Sequence, residues 1–306
     1  MSSARPQNRH TDPRVSVVIP TFRRAQMLER ALNSVLAQSF SDFEIIVVDD
    51  NGRGHPQQQA TAALLRERFD DPRVRYIVNE PGCSGASATR NVGIDAARGE
   101  FVAFLDDDED WLPGKLERQV SALSAAGLDT GIIDTGFWDH KSNGRVRRAR
   151  PKMQGWILEP LLQRTRGRIP KLSTLLCRRQ ALEQAGLFDT GLPAHEDYEL
   201  YLRLARNYRF ASIDAPLANK RADADGRLTG NPHNIVQGYA GVYEKHLDEL
   251  QRRPRVHAIY LLRYAAALAA AGRRREAWHR YRQAYRLWRT NPRLLSYGLK
   301  LVSGKH

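Results

Sequence analysis

Residues 104–111 read FLDDDEDW: five carboxylates, Asp106 to Asp110, stand between an apolar stretch and a tryptophan. Like charges this close repel and raise one another's pKa. Two chemistries could hold them, water in a solvated turn or a bound cation. Two further acidic pairs occur along the chain. Asp49 and Asp50 close the apolar run EIIVV, and Glu196 and Asp197 open the stretch HEDYELYLRLARNY. Acidic residues in a first helical turn suit the helix dipole, so the second pair also has a purely structural reason to stand there.

The elements that must position these groups are visible as periodicities. VSVVI (15–19), EIIVV (44–48), VRYIV (74–78) and EFVAFL (100–105) are short, largely β-branched runs with the pattern of buried strands. Leu28, Ala31, Leu32, Val35 and Leu36 fall at helical spacing, and ASATRNVGIDAA (86–97) predicts a helix after the glycine-bearing loop PGCSG (81–85). Strands alternating with helices, each strand nearly all apolar, predict a mostly parallel sheet covered on both faces. Such a sheet binds ligands beyond the carboxyl ends of its strands. Thr21, the Asp49–Asp50 pair and the Asp106–Asp108 cluster lie at three of those ends.

Downstream, DHKSNGRVRRARPKMQG (139–155) reads as a basic loop and LSTLLC (172–177) as a strand. A short helix ends at Gly186, and 195–208 is an amphipathic helix. RFASI and PLANK are weaker strands, and RADADGRLTGNPH (221–233) is a polar loop. From 234 onward only helices are expected, with 257–292 forming an antiparallel pair that turns at Gly272. The division that follows is a flexible tail (1–12), an α/β domain (13–233) and a basic helical extension (234–306).

The net charge of +14 is unevenly placed. Residues 245–306 carry 15 Lys/Arg against 3 Asp/Glu, and residues 140–179 carry 12 against 1, while the rest is acidic on balance. Basic blocks of this kind favour an anionic partner: nucleic acid, anionic lipid or a phosphorylated substrate. Cys83 and Cys177 cannot build a disulfide framework, which suits a reducing cytosol. The opening MSSARPQNRHTDPR has no apolar core of a signal peptide, and no run approaches the roughly 20 apolar residues of a membrane span. The expectation is a cytoplasmic protein.

The segments VSVVIPTFRRAQMLERALNSVLAQSFSDFEIIVVDDNG, NEPGCSGASATRNVGIDAARGEFVAFLDDDEDWLPGKLERQ and HEDYELYLRLA, in that order over roughly 13–221, resemble the inverting glycosyltransferases of family 2, which have the GT-A fold. The resemblance implies a nucleotide-sugar donor. Thr21 and Asp50 resemble the pair that recognises the base, with Pro20 and Arg23 in the same turn; a carboxylate can accept the N3–H of uracil. Arg23 departs from the family pattern, which often has Asn there. Arg90 resembles a basic residue that contacts the nucleotide. Asp106 and Asp108 resemble the Asp-x-Asp motif, the first against the ribose and the second on Mg²⁺ or Mn²⁺ bridging the diphosphate. Such a cation takes oxygen ligands. Asp107 extends the nucleotide-facing set or points away. Asp197 resembles the catalytic base, and Glu196 positions the acceptor or the helix start. Lys220, Arg221 and Arg227 are candidates for a basic loop over the diphosphate, and His233 for a distant or metal contact or a plain surface-loop histidine.

The implied acceptor is a hydroxyl of a cell-surface glycan or lipid-linked molecule. Two other classes compete. A nucleic-acid binder would use the basic tail, but no helix-turn-helix, RNP or zinc pattern accompanies it. A GT-A-like nucleotidyltransferase would open with a glycine-rich loop where PTFRRA stands. In the tail, Trp278, Tyr281, Tyr285 and Trp288 step by three, four and three, which places them on one helical face flanked by arginines. That stripe either packs on the preceding helix or meets an anionic membrane surface at the inner face of the plasma membrane. Trp288 and the segment LLSYGLKLVSGKH are the stronger membrane candidates.

Overall fold

The computed structural model describes residues 12–79, 85–163, 169–221, 231–294 and 296–298. Residues 1–11, most of the PGCSG loop with Cys83, Arg227, and the end of the chain from 299 lie outside them.

The first half of the chain alternates strand and helix: β1 (Val15–Thr21), α1 (Ala25–Leu36), β2 (Phe43–Asp49), α2 (Pro56–Arg68), β3 (Val74–Val78), α3 (Ala86–Asp95) and β4 (Phe101–Phe104). Then come β5 (Asp110–Trp111), α4 (Lys115–Ala125), β6 (Thr130–His140), β7 (Val146–Ala149), α5 (Leu158–Gln163), β8 (Leu176–Arg178), α6 (Arg179–Ala185), α7 (Glu196–Asn207) and β9 (Arg209–Arg221). After β9 come the helices α8 (Pro232–Lys245), α9 (Leu247–Gln251), α10 (Pro254–Ala270) and α11 (Arg274–Leu287).

One sheet runs β3-β2-β1-β4-β8-β6-β9-β5, with β7 paired to β6. The β3-β2-β1-β4 half is parallel, as the apolar runs predict. Period-2 alternation explains how it is covered on both faces. Val18, Ile46, Val48, Val102 and Phe104 point into one core, and Val17, Ile19, Ile45, Val47, Phe101 and Ala103 into the other. Every one of these side chains is at most 1% exposed, and burying one contributes roughly 1.5–3 kcal/mol. Helix α3 lies close on the sheet: a Cβ at Gly93 would collide with Val18 Cγ1.

The second half differs from the sequence expectation in four places. The basic loop is in part a hairpin, β6 pairing antiparallel with β7. LSTLLC is a 3₁₀ turn at Leu172–Thr174 followed by β8, which pairs antiparallel with β4 and β6. RFASI and PLANK join in the single strand β9, parallel to β6 with register shifts that absorb Asp214 and Ala215. Helix α8 starts at Pro232, inside the stretch read as loop, with Asn231 as its cap. The placing of β8 and β9 depends on pairing with residues distant in sequence, which periodicity does not register, whereas the hairpin and the Asn231 cap are local features carried by residues that also suit a loop.

Helix α10 runs to Ala270 and Gly272 (φ +78°) turns the chain into α11, the pair expected there. The same core holds Tyr198, Tyr201 and Leu204 of α7 together with Val236, Leu250, Tyr260 and Tyr264 of the last helices. Trp278 and Tyr281 pack against that core, and Trp288 packs against Leu261, Leu262 and Leu294. Tyr285 alone of the four aromatics stands out as exposed, at 49%. No described helix is long and apolar enough to cross a membrane.

Candidate active site

The site is built at the ends of β1, β2 and β4. Thr21, the last residue of β1, is in register with Asp49 at the end of β2. Asp49 is fully buried and held inside the protein: it accepts from the Asn51 amide at 2.8 Å, the Asn51 side chain at 2.7 Å and the Tyr76 hydroxyl at 2.7 Å. Burial pushes that phenol up, so it stays a donor. Asp50 turns the other way. Its amide donates to the Thr21 carbonyl at 2.9 Å, and its carboxylate accepts from Asn79 Nδ2 at 2.9 Å and the Gly85 amide at 2.8 Å. Arg23 sits beside it at φ +57°, its amide on Asn51 Oδ1 and its guanidinium over the Phe22 ring. Pro20 precedes this turn within β1, opposite Val48.

The acidic run divides into two kinds of carboxylate. Asp107 and Asp110 are paired inward. Asp107 accepts from Thr21 Oγ1 at 2.8 Å and lies 3.3 Å from Arg24 Nη1, and Asp110 accepts from Asn219 Nδ2 at 2.6 Å and Arg221 Nε at 2.8 Å. Burial pushes the Asp107 carboxyl up to about 6 against the pull of Thr21 and Arg24. Asp106, Asp108 and Glu109 form the other kind. The Glu109 amide donates to the Asp106 carbonyl at 3.0 Å, closing a turn that brings the three side chains round. One carboxylate oxygen from each lies within 4.8 Å of the others. Burial pushes Glu109 up to about 8 and Asp108 upward as well, and in both the charge of Asp106 adds to the effect. Arg24 Nη1 lies 3.2 Å from Asp108 Oδ2, so part of the charge is offset within the protein, yet both carboxyls stay raised; three converging oxygen donors of this kind fit a hard divalent cation.

Arg90, on α3, ties this cluster to the far side of the cleft. Only 8% exposed, it donates to Asp106 Oδ1 at 2.9 Å and lies 3.5 Å from Glu196 Oε1. Burial alone would lower the guanidinium's pKa, but Asp106 and Glu196 raise it further. Helix α7 begins here, after His195 in a left-handed turn at φ +67°. Burial and the adjacent Asp197 push the Glu196 carboxyl up. Asp197 Oδ1 accepts from the Tyr198 amide at 2.6 Å, and Tyr198 is buried with its hydroxyl on the Leu161 carbonyl. The first turn of α7 is therefore fixed by its own third residue.

The structure thus gathers Thr21, Asp50, Arg90, Asp106, Asp107, Asp108, Glu196 and Asp197 around one strand edge. His233 is elsewhere in role: it is an exposed first-turn residue of α8 with its amide on Asn231. Lys220 is close enough for its charge to lower the carboxyls of Asp108 and Glu109, while Arg221 is committed to Asp110. Sequence reasoning missed Glu109, Arg24 and Ser173. Ser173 Oγ accepts from the Asp106 amide at 3.1 Å and lowers the Glu109 carboxyl by hydrogen bonding. Glu109 carried a signal in its three-residue spacing from Asp106, whereas Ser173 comes from another element and carried none.

The model of the family described as glycosyl transferase family 2 matches residues 16–186. The amylovoran biosynthesis glycosyltransferase AmsB of Erwinia amylovora is 30% identical over 210 residues, 67% of this chain and 68% of that protein. Matches to three other curated relatives cover 28 to 32% of those proteins. Among solved structures, S. aureus TarS 1–349 in complex with UDP-GlcNAc superposes with a TM-score of 0.66 at 17% identity, covering 95% of this chain and 89% of that one. The mannosyltransferase PcManGT from Pyrobaculum calidifontis, in complex with GDP-Man and Mn²⁺, gives 0.56 at 18% identity, covering 97% and 89%. These likenesses place the fold in the GT-A class.

Proposed function

The chain belongs to glycosyl transferase family 2, and on that premise we propose that this glycosyltransferase is inverting and metal-dependent and takes its sugar from a UDP-sugar. The observation that carries the reading is the convergence of Asp106, Asp108 and Glu109 at a strand end that Arg90 links to the first turn of α7. TarS with UDP-GlcNAc and PcManGT with GDP-Man and Mn²⁺ support a nucleotide-sugar donor on this fold. Residues 13–233 form the catalytic unit in this reading, and 234–306 an extension of it.

Asp50 accepts from the base, and Thr21, with Pro20 and Arg23, shapes the same turn. Asp106 faces the ribose side, held in place by Arg90, and Asp107 serves the nucleotide from behind by fixing Thr21. Asp106 and Asp108, with Glu109, would hold Mg²⁺ or Mn²⁺. That cation supplies charge neutralisation for the diphosphate. Asp197 takes the proton from the acceptor hydroxyl as its oxygen attacks the anomeric carbon from the side opposite the diphosphate, which inverts the centre. Glu196 borders the acceptor. Positive side chains such as Lys220 stabilise the charge left on the departing group.

The acceptor is a hydroxyl of a growing cell-surface glycan or lipid-linked intermediate, at the cytoplasmic side of the membrane. The name of AmsB, which refers to amylovoran biosynthesis, supports a polysaccharide product. The test is a donor screen of the purified chain with Mn²⁺, reading nucleoside diphosphate release, followed by NMR assignment of the product anomer. Release from UDP-sugars with an inverted product is expected. A retained anomer sinks the inverting reading, full activity in EDTA sinks the metal, and preference for a guanosine donor sinks the uracil assignment.

A further inference from the structure

A second concave surface lies in the C-terminal helices, lined by none of the candidate active-site residues. It is a cleft of about 690 Å³ between the start of α10, the end of α11 and α5. The cleft is shallow and open to solvent. Arg253, Arg255, Arg286 and Arg289 line it, with Trp288 as an apolar wall and Glu159 as its one carboxylate. The Arg255 guanidinium lies over the Trp288 ring at 5.7 Å.

The placement of these arginines is the informative feature. Basic residues suit the negative C-terminal end of a helix, so Arg286, in the last turn of α11, has a structural reason to be there. Arg253, the residue before α10, has one as well, its Nη1 donating to the Glu249 carbonyl of α9 at 3.0 Å. Arg255 does not: it stands at the positive end of the 17-residue α10, which opens with no acidic residue in its first turn and no side-chain cap. Positive side chains there work against the dipole, and an anion in the cleft would reverse the sign of that interaction. Four guanidiniums against one carboxylate leave the cleft strongly positive, and guanidinium is the side chain best matched to phosphate oxygens. Tyr285 (49% exposed) and Leu287 (38% exposed) sit on the adjoining surface of α11.

We propose that this cleft binds a phosphate-bearing group, held by Arg253, Arg255, Arg286 and Arg289 against Trp288. The group is either a phospholipid headgroup, with Tyr285 and Leu287 beside the hydrocarbon, or a phosphate on a soluble molecule. The two share their recognition chemistry and differ in whether those apolar side chains contribute.

The experiment uses the full chain in EDTA, with two probes: inorganic pyrophosphate by calorimetry, and vesicles of phosphatidylglycerol and phosphatidylcholine by cosedimentation. Arg255→Gln/Arg289→Gln, both at exposed positions, is compared with Arg145→Gln/Arg147→Gln, which removes equal charge from the exposed β6–β7 hairpin. Binding of at least one probe should weaken by about tenfold or more in the first variant, two charge-assisted contacts being lost, and should stay unchanged in the second. If Leu287→Ser weakens vesicle binding but not pyrophosphate binding, the group is a lipid headgroup; if pyrophosphate alone binds, it is a soluble phosphate. Failure of both probes, or equal weakening in both double variants, overturns the site and leaves only diffuse charge. UDP binding with Mn²⁺ should be untouched by Arg255→Gln/Arg289→Gln. Its absence in the unmodified chain would sink the donor reading without bearing on the cleft.

Discussion

At the residue scale, the five neighbouring carboxylates do different things because their partners differ. Asp107 and Asp110 are satisfied by Thr21, Asn219 and Arg221, Arg24 is shared between Asp107 and Asp108, and Asp106, Asp108 and Glu109 converge on common space. Two predictions belong here. Asp197→Asn keeps the shape of α7's first turn and loses the base, so turnover should fall about 10²–10⁴-fold while calorimetry still finds UDP bound with Mn²⁺. A drop of less than about tenfold would remove Asp197 from the proton transfer. Glu109→Gln and Asp108→Asn should each weaken Mn²⁺-dependent UDP binding by about tenfold or more and leave any binding in EDTA unchanged. Asp107→Asn should act differently, loosening Thr21 without abolishing the metal effect. If Asp107→Asn is the variant that loses Mn²⁺ dependence, the division of the run is wrong.

At the scale of elements, the site depends on how closely α3 sits on β1. Arg90 reaches Asp106 and Glu196 from one turn before Gly93, whose hydrogen is all that fits against Val18. Gly93→Ala gains up to about 1 kcal/mol of helix propensity but forces α3 outward, a strain of about 1–3 kcal/mol. The net expectation is a destabilised protein, by urea titration, whose activity falls further than its stability because Arg90 moves with the helix. Equal stability and activity to the parent would show that the Val18 side chain simply yields. Helix α4 shows another long-range dependence. Its fully buried Lys115 places its ammonium 3.9 Å from the Trp111 ring centre and on Gln119, and Trp111 in turn donates to the Ser173 carbonyl at 2.8 Å. That chain of contacts supports the residue on which Asp106 rests.

For the whole molecule, helices α8 to α11 share a core with α7. Glu199, 1% exposed on α7, is bound by Arg203 at 2.8 Å and by the His246 ring at 3.3 Å, linking α7 to the junction of α8 and α9. Burial would push its carboxyl up, but the bonds from His246 and Arg203 outweigh it and hold the carboxyl down at about 2. A carboxylate whose folded pKa lies below its unfolded value stabilises above the unfolded pKa, near 4.5, and loses that contribution as pH falls towards 2. The contribution is up to about 3 kcal/mol. Melting temperature should therefore drop steeply between pH 5 and about pH 2–3, and Glu199→Gln should be less stable at neutral pH with a flatter acid limb. An identical acid limb in the variant would rule this pair out as the cause. Truncation is also informative. Ala277 and Ala284 of α11 are fully buried against α10, so removing 273–306 should yield insoluble or unfolded protein rather than a trimmed enzyme. Point substitutions on the surface of α11 are the sound way to question its surface.

By itself, the sequence determined the parallel half of the sheet, the helices α1, α3, α6, α7 and the α10–α11 pair, and the edge to which Thr21, Asp50 and the acidic run are delivered. It could do so because burial of one strand face or one helix stripe is a local demand, written as a period of two or 3.6. The tertiary structure alone decided the rest. TGIIDTGFWDH is a strand because β8 and β9 flank it and Asp134 finds the Thr174 hydroxyl, a partner 40 residues away. The aromatic stripe turned inward because α10 and Leu294 were there to meet Trp278, Tyr281 and Trp288, which left Tyr285 outside. Five adjacent acids look alike in a sequence. Only the turn closed between Glu109 and Asp106, and the hydroxyls of Thr21 and Ser173 arriving from distant segments, made three of them converge, because the partners that orient a side chain are fixed by folding and not by its neighbours in the chain.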